Sequence, residues 1–521
     1  MATPLVLPAP PRVEQHNLSL KERVRGYSLV TGLTALALAI HGYHPYAEDG
    51  GIYLSGAKYV LNPGLYPRYS EFVTEHLRFS LFAPTVAALV RVSHLQLMTV
   101  WLLLYIASIW LTLLAGWQLA RRCYASSEAR FGAVTLLAVW LTLPVAGTSL
   151  MLMDPYLTAR SISTPCILLS LAGLLDLFSE ERNRTRAATL FLIPLIIAVL
   201  VHPLMAAYGL GCALFLACTF SKNAKPRIVS TAALSLFGIF FALVLYIAAP
   251  AEPTAYRTIA LTRTYWFLTS WQPYEQFGLA APIAILTAIA LQPPRQASTA
   301  ARNLASAVAL AGTIGCIVAL LFARPDAQTF LVARLQPLRI FQIVYVVMIL
   351  NIGAFLGERL QRRLLRWIPL FAALATIMVY AERQTFPNSP HFESPNRAAQ
   401  NPWIRAFQWI SVSTPIDATF ALDPHYVSHP GEDAQTFRAI AERSALPDYS
   451  KDGGVASLSP ALTTTWLAGQ TAQTGLNTST DATRNATLRP LGVTWLVLPA
   501  ETPTSAPCPY QEQAVKICRL P

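Results

Sequence analysis

The sequence predicts an α-helical polytopic membrane bundle of about eleven transmembrane helices, carrying a small extracytoplasmic C-terminal α/β domain. Three observations predict it. Of the 521 residues, 54% are hydrophobic and only 13% charged, whereas an average soluble domain is roughly a quarter charged. The apolar residues fall in blocks of about 15 to 24 with almost no charge, the length that crosses a ~30 Å hydrocarbon core. The polar remainder is concentrated in the last part of the chain, where the composition turns Ser/Thr/Pro-rich.

Residues 1–26 read as a cytoplasmic N-terminal segment. It has several prolines and no apolar core, which excludes a cleavable signal peptide and makes the first span an uncleaved anchor. The spans then fall near 27–44, 97–120, 131–150, 162–178, 187–201, 204–220, 227–249, 277–292, 302–323, 337–357 and 364–380. Together 27–381 form the membrane domain. Basic clusters at Lys21–Arg25, Arg121–Arg122, Arg182–Arg186, Lys222–Arg227, Arg295–Arg302 and Arg359–Arg366 occupy every second connection. By the positive-inside tendency these face the cytoplasm, so the N-terminus is inside and the C-terminus outside. The same clustering explains the net charge of +12 without a nucleic-acid partner. The stretch Leu77–Val92 is short and contains Arg78 and Arg91, so it reads as a helix lying in the outer interface within a long first outer loop, 45–96.

The tail, 382–521, reads as a soluble α/β domain, with buried strands at Ala418–Leu422 and Val493–Leu498 and an amphipathic helix over Gly431–Arg443. Cys508 and Cys518 bracket a potential hairpin, and an oxidising outer compartment favours a disulfide between them over two buried thiols. Asp423, His425 and His429 lie near one another and raise a metal question, although a polar loop of this kind is more often simply solvated.

The connections assigned outward are longer than the inner ones and hold most of the chemistry. The first contains the adjacent acids Glu48 and Asp49, followed by Gly50 and Gly51, which would allow close backbone approach to a ligand. Carboxylates at a membrane surface are costly unless solvated, paired or metal-bound, and one held there can deprotonate an acceptor hydroxyl. Helix capping by Asp49 over 52–61 is the structural alternative. The second outer connection holds Asp154 and Arg160, suited respectively to acid-base work and to phosphate, or to a mutual salt bridge. His202-Pro203 breaks an apolar stretch where the chain turns outside. Arg257, Arg263, Arg334 and Arg339 lie outside against the positive-inside tendency, as expected of groups that meet an anionic lipid phosphate.

The acidic pair Glu48-Asp49 in a long first loop with a non-spanning helix, Asp154 and Arg160 in the second loop, and an outer C-terminal domain together resemble the GT-C superfamily of polytopic membrane glycosyltransferases. The resemblance covers the order of elements along the whole chain. It implies an inverting transfer of a sugar from a polyprenyl-phosphate or polyprenyl-diphosphate donor to an acceptor at the outer face, in a bacterial inner (plasma) membrane. It makes Asp49 or Glu48 the catalytic carboxylate, with Asp154 a second acid. Arg160, His202, Arg257, Arg263, Arg334 and Arg339 are the candidates for the donor phosphate, and the partners are the lipid-linked donor, membrane lipid and an acceptor that the sequence does not name. No cofactor is specified, and a divalent metal is compatible with the acids. The tryptophan-rich acceptor motif of oligosaccharyltransferases is absent, which argues against metal-dependent asparagine glycosylation. A lipid or solute transporter or flippase, or a non-catalytic envelope scaffold, is the alternative; a transporter would place ionisable residues at mid-membrane depth, whereas the acids here cluster toward one face.

Overall fold

The computed structural model describes residues 20–179, 183–221, 223–293, 297–360 and 363–520. The segment 1–19, and with it most of the expected cytoplasmic N-terminus, lies outside the described residues, as do Arg182, Lys222, Arg295 and Arg362 of the basic clusters.

The chain opens with α1 (Leu20–His41), which ends at Gly42, a residue with φ +68°. The first connection folds into α2 (Glu48–Leu61), α3 (Glu71–Thr74), a 3-10 turn (Glu75–Phe79) and α4 (Phe82–Ser93). Twelve residues of α-helix rise only about 18 Å, so α4 is too short to cross the hydrocarbon. After α5 (Leu97–Cys123), α6 (Ser127–Val139) stops well before the predicted 150. The chain turns instead into a hairpin of β1 (Pro144–Val145) and β2 (Leu150–Met151), because Pro144 cannot donate to a helical ladder and Gly147 takes φ +61°.

The bundle continues with α7 (Ala159–Leu177), α8 (Arg184–Val201), α9 (Pro203–Thr219) and α10 (Ala224–Ala248). A connection holding α11 (Thr254–Leu261) leads to α12 (Pro273–Leu291) and α13 (Thr299–Phe322). Then come α14 (Leu331–Arg334), the 3-10 turn Pro337–Ile340, α15 (Phe341–Leu360) and α16 (Leu364–Thr385). Eight helices among the described residues are long and apolar enough to cross a membrane, with α4 and α9 as shorter apolar helices. This is a multi-pass integral membrane protein. With little hydrophobic drive between helices in lipid, close approach depends on small residues. Gly353 and Gly357 of α15 do this against Gly132 of α6: a Cβ on Gly132 would lie 2.3 Å from the Gly353 carbonyl oxygen.

The tail builds a five-stranded mixed sheet in the order β4-β3-β5-β7-β6. Its elements are α17 (Pro402–Ser413), β3 (Thr419–Ala421), α18 (Phe437–Ala441), β4 (Ser444–Ala445), α19 (Lys451–Leu458), α20 (Thr463–Gln473), α21 (Asp481–Leu488), β5 (Trp495–Pro499), β6 (Tyr510–Gln511) and β7 (Val515–Arg519). The twofold side-chain period of a strand splits the core of β5: Trp495 and Val497 pack with Trp403 and Phe407 of α17, while Leu496 and Leu498 pack on the other face with Leu488 of α21. Cys508 and Cys518 are joined by a disulfide, with Cα atoms 3.9 Å apart, closer than the usual 5–6 Å. The amphipathic helix predicted over Gly431–Arg443 is confined to α18. The residues before it cannot join it because Gly431, Asp433 and Ala434 have φ of +85°, +59° and +56°.

Candidate active site

Two parallel strands, β3 and β4, point their carboxyl ends at α2, and the segment that follows β4 carries Lys451 onto the first loop. Such ends commonly face functional crevices. Here the contact is close because α2 starts with glycines. A Cβ on Gly51 would lie 2.2 Å from Thr436 of the tail, and one on Gly50 would lie 2.9 Å from Tyr156 of the second loop. The glycines predicted to admit a ligand therefore admit protein.

The N-cap of α2 is Ala47, so Asp49 is not the cap; it lies in the first turn with its carboxylate free for other partners. Glu48 is held at φ +51°, a conformation costly for a residue with a side chain. The tail over-determines it: the Glu48 amide donates to the Ala434 carbonyl (2.9 Å) and the Thr436 hydroxyl donates to the Glu48 carbonyl (3.1 Å).

Five charged side chains from three parts of the chain then interlock. Arg160 Nη2 lies 3.0 Å from Asp49 Oδ2 and 3.0 Å from Asp154 Oδ2. Lys451 Nζ is hydrogen-bonded to Glu48 Oε2 and stands 3.5 Å from Asp49 Oδ1. The Thr158–Ser161 capping box fixes the start of α7, and hence Arg160 in its first turn. Burial pushes Asp154 up from the ordinary carboxylate range, more than Arg160 can offset. Burial acts the same way on Asp49, but Lys451, Arg160 and Arg339 outweigh it and hold Asp49 well below that range. Asp154 is 5% exposed and Asp49 is 31% exposed, so Asp49 is the member of the pair open to a substrate.

His202 caps α9 by accepting from the Met205 amide at 3.4 Å. The first loop is laid over this break, with the Ser80 hydroxyl donating to the Val201 carbonyl (2.6 Å) and the Leu81 amide to the Leu200 carbonyl (2.9 Å). Burial, with the nearby charges of Arg160 and Arg339, pushes His202 down to about 3 and keeps it neutral. Arg339 faces the same charges as Asp49 and Arg160. It lines a pocket of about 210 Å³ with Thr148, Tyr265 and Trp266, and its buried Nε has no hydrogen-bond partner among the described residues. No ion pair to it is formed among those residues.

The other outer arginines have protein partners. Arg257 donates to the carbonyls of Ala327 (2.6 Å) and Pro325 (3.0 Å), and Arg334 pairs with Glu252 at 2.6 Å. Arg263 donates to the carbonyls of Tyr449 and Ser450, both at 2.8 Å, and so fixes the residues just before Lys451. Lys451 itself was missed in the sequence, where it is one lysine in a polar tail 402 residues from Asp49. Among the described residues no group of three His, Cys, Asp or Glu is placed to hold a metal, and Lys451 and Arg160 pair with the acids. Asp423 and His429 approach at 3.8 Å without forming such a group.

No protein-family model and no curated protein matches this chain. Solved structures do. One is an oligosaccharyltransferase from Archaeoglobus fulgidus, at 12% identity and TM-score 0.46, over 91% of this chain and 68% of that one. Another structure of the archaeal enzyme, with an inhibitory peptide and a dolichol-phosphate, matches at 11% identity and TM-score 0.44 over 93% and 70%. A third is arabinofuranosyltransferase AftD from Mycobacteria, at 14% identity and TM-score 0.48 over 96% and 42%, so this chain spans under half of that protein's length.

Proposed function

We propose that this protein is an inverting membrane glycosyltransferase that moves a sugar from a polyprenyl-phosphate or polyprenyl-diphosphate donor to a hydroxyl acceptor at the outer face of a cell-envelope membrane. The observation that carries this reading is Arg339: a cation with a buried Nε, left without an anion among the described residues, in the field of a carboxylate cluster that already has its own cations. A native fold pairs its buried charges, and one kept open is held for a ligand of opposite sign.

In this mechanism the acceptor hydroxyl lies against Asp49, which is ionised and so able to take the proton as the oxygen attacks the anomeric carbon. The bond to the lipid phosphate breaks on the opposite face of the sugar, which inverts the centre. Arg339 stabilises the charge on the departing phosphate, and neutral His202 can donate a hydrogen bond beside it. Arg160 is spent on Asp49 and Asp154 and orients the base. Asp49 is preferred over Glu48 because it sits between Lys451 and Arg160, within the field of Arg339, while Glu48 is tied to Lys451. Lys451 must loosen when the acceptor arrives, and that movement raises the basicity of Asp49 at the moment it is needed. No step requires a metal.

Replacing Arg339 by Gln tests the assignment. With the protein in nanodiscs, polyprenyl phosphate is expected to bind at least about tenfold more weakly, and transfer to fall by roughly 10²–10³. Unchanged polyprenyl-phosphate binding would remove Arg339 from the site and the reading with it.

A further inference from the structure

A second unspent polar group lies along α2 from Asp49. His76 occupies the 3-10 turn Glu75–Phe79, which folds back onto α2. Its ring meets Tyr53 edge-on, with centroids 5.4 Å apart, and a Cβ on Gly56 would lie 2.9 Å from its Nε2. Asp49, Tyr53 and Gly56 stand at i, i+4 and i+7, on one face of α2. Seven residues of helix rise about 10 Å, which sets the spacing from the base to the imidazole along that face. The turn is anchored from both sides: Glu75 pairs with Arg78 at 3.1 Å and accepts from the Ser459 hydroxyl of the tail at 3.2 Å.

Both ring nitrogens of His76 are buried, and neither has a hydrogen-bond partner among the described residues. Leaving a buried polar atom unsatisfied costs about 1–3 kcal/mol, so two on one imidazole need a reason. Packing alone does not supply it, since a phenyl ring would fill the same space beside Tyr53 without that cost. Asp49 is the charged group of the site that acts on His76. Burial pushes it down to about 4, so at neutral pH the imidazole has one N–H donor and one bare acceptor nitrogen. That pairing suits a hydroxyl, which both donates and accepts.

We propose that His76 is a specificity-determining residue of an acceptor subsite, where its neutral imidazole hydrogen-bonds a hydroxyl of a carbohydrate acceptor about 10 Å along α2 from the oxygen that Asp49 deprotonates. The acceptor class is then a polyhydroxylated glycan at least about two sugar rings long rather than a peptide or a simple alcohol. This rests on the glycosyltransferase reading, and a binding measurement separates the two.

The probe is a panel of octyl mono- and disaccharides, with binding measured on the full chain in nanodiscs in the Asp49→Asn background and without a sugar donor, so that no transfer occurs. Disaccharides are expected to bind more tightly than monosaccharides, and His76→Ala to weaken disaccharide binding by about 5- to 150-fold, the equivalent of one hydrogen-bonding partner lost. Polyprenyl-phosphate binding is expected to stay unchanged. His76→Phe controls for folding: it should keep or raise Tm, because it removes the orphaned nitrogens, and still lose disaccharide binding. Equal disaccharide affinity in the His76 variants and their parent, or no glycoside bound by the parent, overturns the subsite. Disaccharide binding that depends on His76, in a chain whose Asp49 form transfers no sugar, would keep the subsite and overturn the glycosyltransferase reading instead.

Discussion

Two charged clusters join the membrane helices to the tail, and they differ in how much hydrogen-bonding capacity they leave unused. In the first, His44 lies between Glu382 Oε1 (2.9 Å) and Glu393 Oε1 (2.8 Å), while His391 bonds Glu382 Oε2 (2.8 Å) and the Ala39 carbonyl (3.1 Å). Every ring nitrogen is spent, and His44 is fully buried. In the second, around Asp49, the Nε atoms of Arg160 and Arg339 and both nitrogens of His76 have no partner among the described residues. The first cluster is closed and acts as a clasp between the ends of α1 and α16 and the start of the tail. The second is open, and we propose that a ligand completes it. Their compositions are similar, so the kind of charge does not distinguish structure from function here; the unspent valence does.

The largest effect that would break this contrast is on stability. Glu382→Gln strips the clasp of the carboxylate that both histidines share, and a buried pair broken on one side costs about 3–5 kcal/mol. Tm of the purified protein should fall steeply, with transfer at low temperature kept. A loss of transfer without loss of Tm would show that the clasp is part of the site.

The same network sets a pH dependence. Burial works against a charged His44, but its hydrogen bonds to Glu382 and Glu393 win and raise it above 6.5; His391 is raised as well, chiefly by its hydrogen bond to Glu382. A raised histidine contributes stability that is fully present below the unfolded value and is lost as pH rises through the folded one. Tm should therefore decline as pH rises above about 6.5, and Glu382→Gln should flatten that decline. A Tm rising over that range in the unmodified protein would contradict the network.

A smaller effect is expected from Lys451→Met, which removes one of the cations that hold Asp49 down. The acid limb of the pH-rate profile should move up by about one unit, the equivalent of about 1.4 kcal/mol. An unmoved limb would mean that Lys451 does not act on the base.

Much of the bundle was legible because apolar blocks and basic loops are local signals. That Glu48, Asp49, Asp154 and Arg160 lie near helix starts was legible for a related reason, since turn residues are local signals; that they interlock is tertiary, and His202 forms no ion pair with them among the described residues. What failed was tertiary. Arg263 and Arg339 look alike in sequence, yet one grips carbonyls of the tail and the other faces an open pocket. Lys451 and His76 carry no motif; they matter only because the tail docks on α2 and the first loop folds back over it. The helix predicted over Gly431–Arg443 was lost to left-handed backbone at Asp433 and Ala434, residues that propensity alone would not flag. That same departure delivers the Ala434 carbonyl to the amide of Glu48.

The central claim is that the open cluster is a transfer site with Asp49 as its base. Asp49→Asn keeps the shape and removes the base. Sugar transfer from a polyprenyl-linked donor, measured beside Tm in the same preparation, is predicted to fall by about 10²–10⁴ with Tm nearly unchanged. Full transfer activity in Asp49→Asn would contradict the account.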